Sequence, residues 1–210
     1  MITTLTKDET SHLIDGPAGK LELITAELKG KPRGAWGIVC HPHPLFGGTM
    51  HNKVVTTLAK TFQHLGLNTV RFNFRGVGRS EGKYDEGNGE LDDLLTVIDW
   101  MQQEHEQSIW LAGFSFGAYI AAKAATQIPA KKLVTVAPPV QHFPMRELPP
   151  IMCPWILVQG EQDDVVPPDE VFAWAEKRHP KPIILRFPEA SHFFHGQLGE
   201  LQSRLEAVLA

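Results

Sequence analysis

Short apolar runs alternate with longer helix-patterned segments along this chain, and that alternation confines it to a mostly parallel β-sheet covered by helices on both faces. Residues 21–28 read as an early strand, 35–40 (Ala-Trp-Gly-Ile-Val-Cys) as a buried one and 69–74 (Thr-Val-Arg-Phe-Asn-Phe) as an alternating one. A helix over about 52–65 separates the last two. The strand 109–112 runs into Gly113, and 118–126 is rich in alanine, the best helix former. Strands at 133–136, 155–158 and 183–187 and helices over about 170–178 and 197–209 continue the pattern. Right-handed crossovers wind such elements into one doubly wound α/β sheet.

The 210 residues, 42% hydrophobic and 21% charged, suit one globular domain spanning 1–210. Net charge is −4 and the 20 Lys and Arg are scattered, so neither nucleic acid nor an anionic membrane surface is an expected partner. The first ten residues lack the apolar core of a signal peptide, and no run approaches 18 apolar residues. Cys40 and Cys153 stand far apart and outside any Cys-x-x-Cys spacing, which fits a reducing cytoplasm and argues against a disulfide scaffold or structural zinc. Residues 138–154 carry six prolines in 17 residues, so they read as an irregular connection, too short for a lid domain.

The chemistry centres on Gly113-Phe-Ser-Phe-Gly117, placed between an apolar strand and the alanine-rich helix. Such a turn forces Ser115 into a strained backbone conformation with its hydroxyl in the open, and the flanking glycines let neighbouring backbone approach. The competing structural role is a packing turn whose serine caps the helix. A serine hydroxyl needs a base, and the base needs an orienting group. Ten histidines are available. His192 follows the last strand and precedes the last helix, where a base belongs; His195, His41 and His43 compete with it. Past the strand at 155–158, Asp163 and Asp164 are both candidate acids, while Asp169 follows Pro167-Pro168 and reads as a helix N-cap.

From about residue 21 onward the chain resembles the α/β-hydrolase superfamily, most closely its small lidless branch of dienelactone-hydrolase-like serine hydrolases. In that family nucleophile, acid and base follow the order Ser, Asp, His, and Ser115, Asp163 and His192 match it. The resemblance also chooses Asp163 over Asp164, through Gly160-Glu-Gln-Asp163-Asp-Val-Val-Pro167, and His192 through Ser-His-Phe-Phe-His-Gly. Dienelactone-type relatives often carry a cysteine nucleophile, so the lactone substrate is not inherited by this serine.

Acyl transfer also needs backbone N–H groups aimed at the developing oxyanion. One is expected from Phe116. The other is expected from His41-Pro-His-Pro-Leu-Phe-Gly-Gly48, similar to the family's His-Gly-x loop with proline in place of glycine; Pro42 and Pro44 cannot donate, which points to Leu45. Phe46, Phe116, Phe193 and Phe194 are candidate wall residues. The stretch 71–83 contains Arg-Gly-Val-Gly-Arg-Ser but fails both Walker A and Rossmann spacing, and reads as tight-turn packing with Arg75 in a salt bridge. The four histidines match no zinc spacing, so no metal and no cofactor is expected. The expected activity is hydrolysis of a small ester or thioester with a short acyl chain through an acyl-enzyme. Peptidase, lactone hydrolase and perhydrolase activities use the same parts, and a non-catalytic binding module on this scaffold is the competing class.

Overall fold

In the computed structural model, residues 7–29, 32–104 and 108–210 are described. Eight strands form one sheet in the order β1-β2-β4-β3-β5-β6-β7-β8. They are β1 (Lys7–Gly16), β2 (Gly19–Leu28), β3 (Ala35–Cys40), β4 (Asn68–Phe72), β5 (Ser108–Phe114), β6 (Lys132–Val136), β7 (Trp155–Gly160) and β8 (Ile183–Phe187). The helices are α1 (Lys53–His64), α2 (Gly89–Glu104), α3 (Phe116–Ala125), α4 (Pro168–Ala175) and α5 (Leu198–Leu209). From β4 to β8 every neighbouring pair is parallel, whereas β1 and β2 join antiparallel at one edge. This is the α/β-hydrolase architecture.

The central strands are buried on both faces, so alternate residues feed two cores. Ile38, Leu111, Leu133 and Leu157 pack with α2, α3 and α4 through Leu94, Ile98, Ile120 and Trp174. Their neighbours Val39, Ala112, Val134 and Val158 pack with α1 and α5 through Leu58, Phe62, Leu201 and Leu205. Parallel register aligns Cys40 with Gly113, Phe114 with Val136 and Gly160 with Phe187, so the loops leaving these carboxyl ends share one edge of the sheet.

Two elements escaped the sequence reading. β1 is an edge strand in which residues 8–13 are exposed or half-buried, so it carries no apolar alternation. α2 does carry a helical repeat, Leu91, Leu94, Ile98 and Met101, that was readable from spacing alone. Its Asp93, fully buried, takes a bidentate pair from Arg75 at 2.8–3.1 Å and the Arg75 N–H at 2.9 Å, which supplies the salt bridge expected for that loop. The expected Asp169 cap is corrected: Pro167 is the N-cap, Pro168 opens α4, and Asp169 lies in the first turn, where its charge favours the helix's positive end.

Residues 138–154 form an irregular connection with one 3₁₀ turn, Met145–Glu147. It is clamped by buried Val140, Met145 and Ile151 and by Arg178, which donates to Leu148 O and Pro149 O. No helical cap rises from it.

Candidate active site

The turn between β5 and α3 holds Ser115 at φ 53° and ψ −120°, a left-handed conformation that costs a non-glycine residue about 1–3 kcal/mol. Its N–H is anchored on Val136 O at 2.8 Å. The residue occupies the N-cap position but makes no side-chain cap hydrogen bond, so its hydroxyl is not consumed in capping. The glycines on either side have steric reasons. A Cβ at Gly113 would lie 2.1 Å from Gly117 O, and one at Gly117 would lie 2.4 Å from Cys40 O. The elbow is thus wedged against the end of β3.

Across the sheet edge, the loops after β7 and β8 are stitched together by Glu161 N–H to Phe187 O (2.8 Å) and Gln162 N–H to Ala190 O (3.0 Å). This brings Asp163 and His192, 29 residues apart, to 2.8 Å between Oδ2 and Nδ1. The Asp163 side chain is fully buried. Its Oδ1 accepts the N–H groups of Val165 (2.9 Å) and Val166 (2.7 Å), and its Oδ2 also accepts from Gln159 Nε2 at 3.1 Å. Burial pushes this carboxyl up, but the His192 and backbone hydrogen bonds outweigh it and hold the group below its ordinary value. An ionised Asp163 can only accept, so Nδ1 of His192 carries its proton and Nε2 is left with a lone pair. The ring packs on Phe114 and Phe193, each 5.0 Å away.

Ser115 and His192 line one cavity of about 970 Å³, together with Phe46, Phe116 and Phe193. Phe194 does not join them: it is buried against Phe187 at 5.4 Å, which corrects its expected place in the wall. Asp164 and His195 are exposed. The loop after β3 also differs from expectation. His41 is fully buried, accepts Phe74 N–H on Nε2 at 3.0 Å and donates from Nδ1 to Pro42 O at 2.6 Å. Burial lowers its pKa to about 4, so it is a neutral tie between the segments that leave β3 and β4.

Leu45 is corrected as an oxyanion donor. Its N–H is spent on His43 Nδ1 at 3.2 Å, and its side chain is 67% exposed. The residue that sequence reasoning passed over is His43, between the two prolines. Its own N–H makes no hydrogen bond among the described residues, and it lines the cavity with Phe116, whose N–H begins α3 equally unpaired. Tyr84, Glu86 and Phe143 also line the cavity, from segments read only as connections. Among the described residues no three His, Cys, Asp or Glu side chains gather as a metal would need, and no helix is long and apolar enough to cross a membrane.

The sheet order, the strained serine elbow and the loops at one sheet edge define an α/β serine hydrolase without a lid. The family model described as serine aminopeptidase, S33, of the α/β-hydrolase class, matches residues 37–152, and the chain belongs to that family. It is 50% identical to an α/β serine hydrolase homologue from Coxiella burnetii, covering 96% of this chain and 97% of that one with a TM-score of 0.93. It is 39% identical to a lidless α/β serine hydrolase from Xanthomonas campestris, covering 95% and 93%, with a TM-score of 0.91. An uncharacterized protein of Rickettsia prowazekii (strain Madrid E) is 38% identical over 163 residues, 75% of this chain and 68% of the other.

Proposed function

We propose that this chain hydrolyses a small carboxylic ester or thioester through an acyl-enzyme. The observation that carries the reading is the shared cavity: Ser115, strained and uncapped, opens into the same space as His192, whose Nδ1 is held on a buried carboxylate. In this reaction Ser115 Oγ attacks the acyl carbon while His192 Nε2 takes its proton, and Asp163 stabilises the imidazolium. The N–H groups of Phe116 and His43 receive the oxyanion, each worth about 100- to 1,000-fold in rate. Collapse of the tetrahedral intermediate expels the alcohol or thiol, which leaves with the proton from His192. Water then repeats the sequence on the acyl-serine and releases the acid.

Phe46, 86% exposed, and Phe193 stand at an open mouth, which favours short acyl chains and tolerates bulky alcohol groups. The two free cysteines suit work in a reducing cytoplasm. The description of the family model favours a second reading, cleavage of an aminoacyl amide by the same groups.

A fluorophosphonate probe tests the activated serine. Labelling of the folded protein that disappears in Ser115→Ala supports the reading; a folded protein that resists labelling points to a binding module instead. Hydrolysis rates with p-nitrophenyl acetate, butyrate and long-chain esters, against aminoacyl p-nitroanilides, then separate esterase from peptidase. Faster turnover of long chains overturns the short-acyl preference.

A further inference from the structure

The cavity wall beside Ser115 is a continuous array of rings. His43 lies 4.8 Å from Tyr84, 4.8 Å from Phe46 and 5.2 Å from Phe116, and Phe116 lies 5.1 Å from Phe143. Burial lowers the pKa of His43, so at neutral pH its ring is one more uncharged aromatic surface. Among the described residues that line the cavity, Glu86 is the one carboxylate, and none is a Lys or Arg.

Glu86 also sits where its residue type is costly. Asn88 N–H donates to Asp85 O at 2.9 Å, closing a turn whose two central residues both have positive φ, 53° at Glu86 and 89° at Gly87. That turn prefers Asn, Asp or Gly at both positions. The turn does not need the Glu86 side chain. Buried Glu90 organises it by accepting Asp85 N–H and Gly87 N–H, each at 2.8 Å. On the following residues, Lys123 Nζ reaches Gly87 O and Asn88 Oδ1, both at 3.3 Å. Glu86 itself is exposed and pairs with no Lys or Arg among the described residues. A strained carboxylate that the local structure does not use points to a role toward what enters the cavity.

We propose that Glu86 and the His43–Tyr84–Phe143 wall form a subsite for a cationic group of the ammonium class carried by the substrate. Aromatic faces attract an alkylammonium through their quadrupoles, and a carboxylate at the rim supplies the counter-charge that a neutral group does not use. The same arrangement disfavours substrates that carry a carboxylate or phosphates. The inference rests on the hydrolase reading, because it names the substrate class for that cavity.

Binding, measured apart from turnover, tests it. Calorimetry on the Ser115→Ala protein compares butyrylcholine with its carbon isostere, and a trimethylammonio-butanoate phenyl ester with its carbon isostere. These two pairs place the cation on the alcohol side and on the acyl side. The cationic member of at least one pair is expected to bind about tenfold tighter. Adding Glu86→Gln should bring that pair within about twofold. Glu86→Asn should do the same while raising thermal stability, since it relieves the turn. Equal affinity within both pairs overturns the subsite, as does a cationic preference that survives Glu86→Gln. Labelling of unaltered Ser115 reports separately on the hydrolase reading, so the two fail independently.

Discussion

Gly117 and Cys40 meet backbone to backbone: a Cβ on the glycine would stand 2.4 Å from the Cys40 carbonyl oxygen and 2.5 Å from that of His41. The contact sets the first turn of α3 against the end of β3, so it fixes the Phe116 N–H relative to the loop carrying His43. Gly117→Ala must push the two apart. It should cost about 1–3 kcal/mol of stability. Because small displacements at a reacting centre are expensive, fluorophosphonate labelling should slow by at least about tenfold under conditions where the variant is folded. Unchanged labelling with unchanged stability would mean that the elbow tolerates the shift.

Ser115→Gly separates the strain from the chemistry. At φ 53° and ψ −120° glycine is at ease where serine is not. The variant should lose its labelling and yet melt higher, by about 2–4 °C for roughly 1 kcal/mol recovered in a chain of this size. Ser115→Ala, which keeps the strain, should lose labelling without that gain. Equal melting temperatures for the two variants would show that the backbone carries no strain there.

How far the sequence discloses this molecule depends on which physical constraint each residue answers to. Strand 35–40 coincides with β3, buried at every position, because a continuous apolar run has few other places to go, and 183–187 coincides with β8, where Leu185 and Phe187 turn inward and Arg186 between them turns outward. β1 was invisible for the opposite reason: an exposed edge is chosen for charge, so it carries no pattern. Asp163 and Asp164 differ only by which one the loop turns inward, and that depends on Val165 and Val166 N–H groups no pattern reveals. His43 was legible in principle, since it holds the one N–H between two prolines. Leu45 was preferred because sequence does not show that the His43 ring claims its amide. Glu86 and Tyr84 reach the cavity by chain geometry alone.

Acid stability should report on His41. Its pKa is about 4 in the folded protein against about 6.5 when unfolded. The unfolded chain therefore takes up a proton over this window that the folded chain refuses, so stability is full above about pH 6.5 and falls as pH drops toward 4. The loss amounts to about 3 kcal/mol at most. Urea unfolding at pH 7.5, 6 and 5 should show that slope, and His41→Gln should flatten it even if the variant is less stable overall. A slope identical in both proteins would assign the proton elsewhere.

Gln159 is buried beneath the acid with its Oε1 unpartnered, while its Nε2 lies 3.0 Å from Gly160 O and 3.1 Å from Asp163 Oδ2. An orphaned amide oxygen costs about 1–3 kcal/mol, and reversing the amide would aim that oxygen at a carboxylate. The side chain therefore serves Oδ2, the same atom that receives the proton of His192 Nδ1. Sharing that oxygen draws negative charge away from the histidine. In Gln159→Met the charge concentrates on the His192 contact and favours the imidazolium, so the acidic limb of kcat/KM should move to higher pH by about half a unit. Stability should change little, because the substitution removes the orphaned oxygen along with the donor. A limb that stays in place while kcat falls would instead make Gln159 a packing residue with no hold on the charge of Asp163.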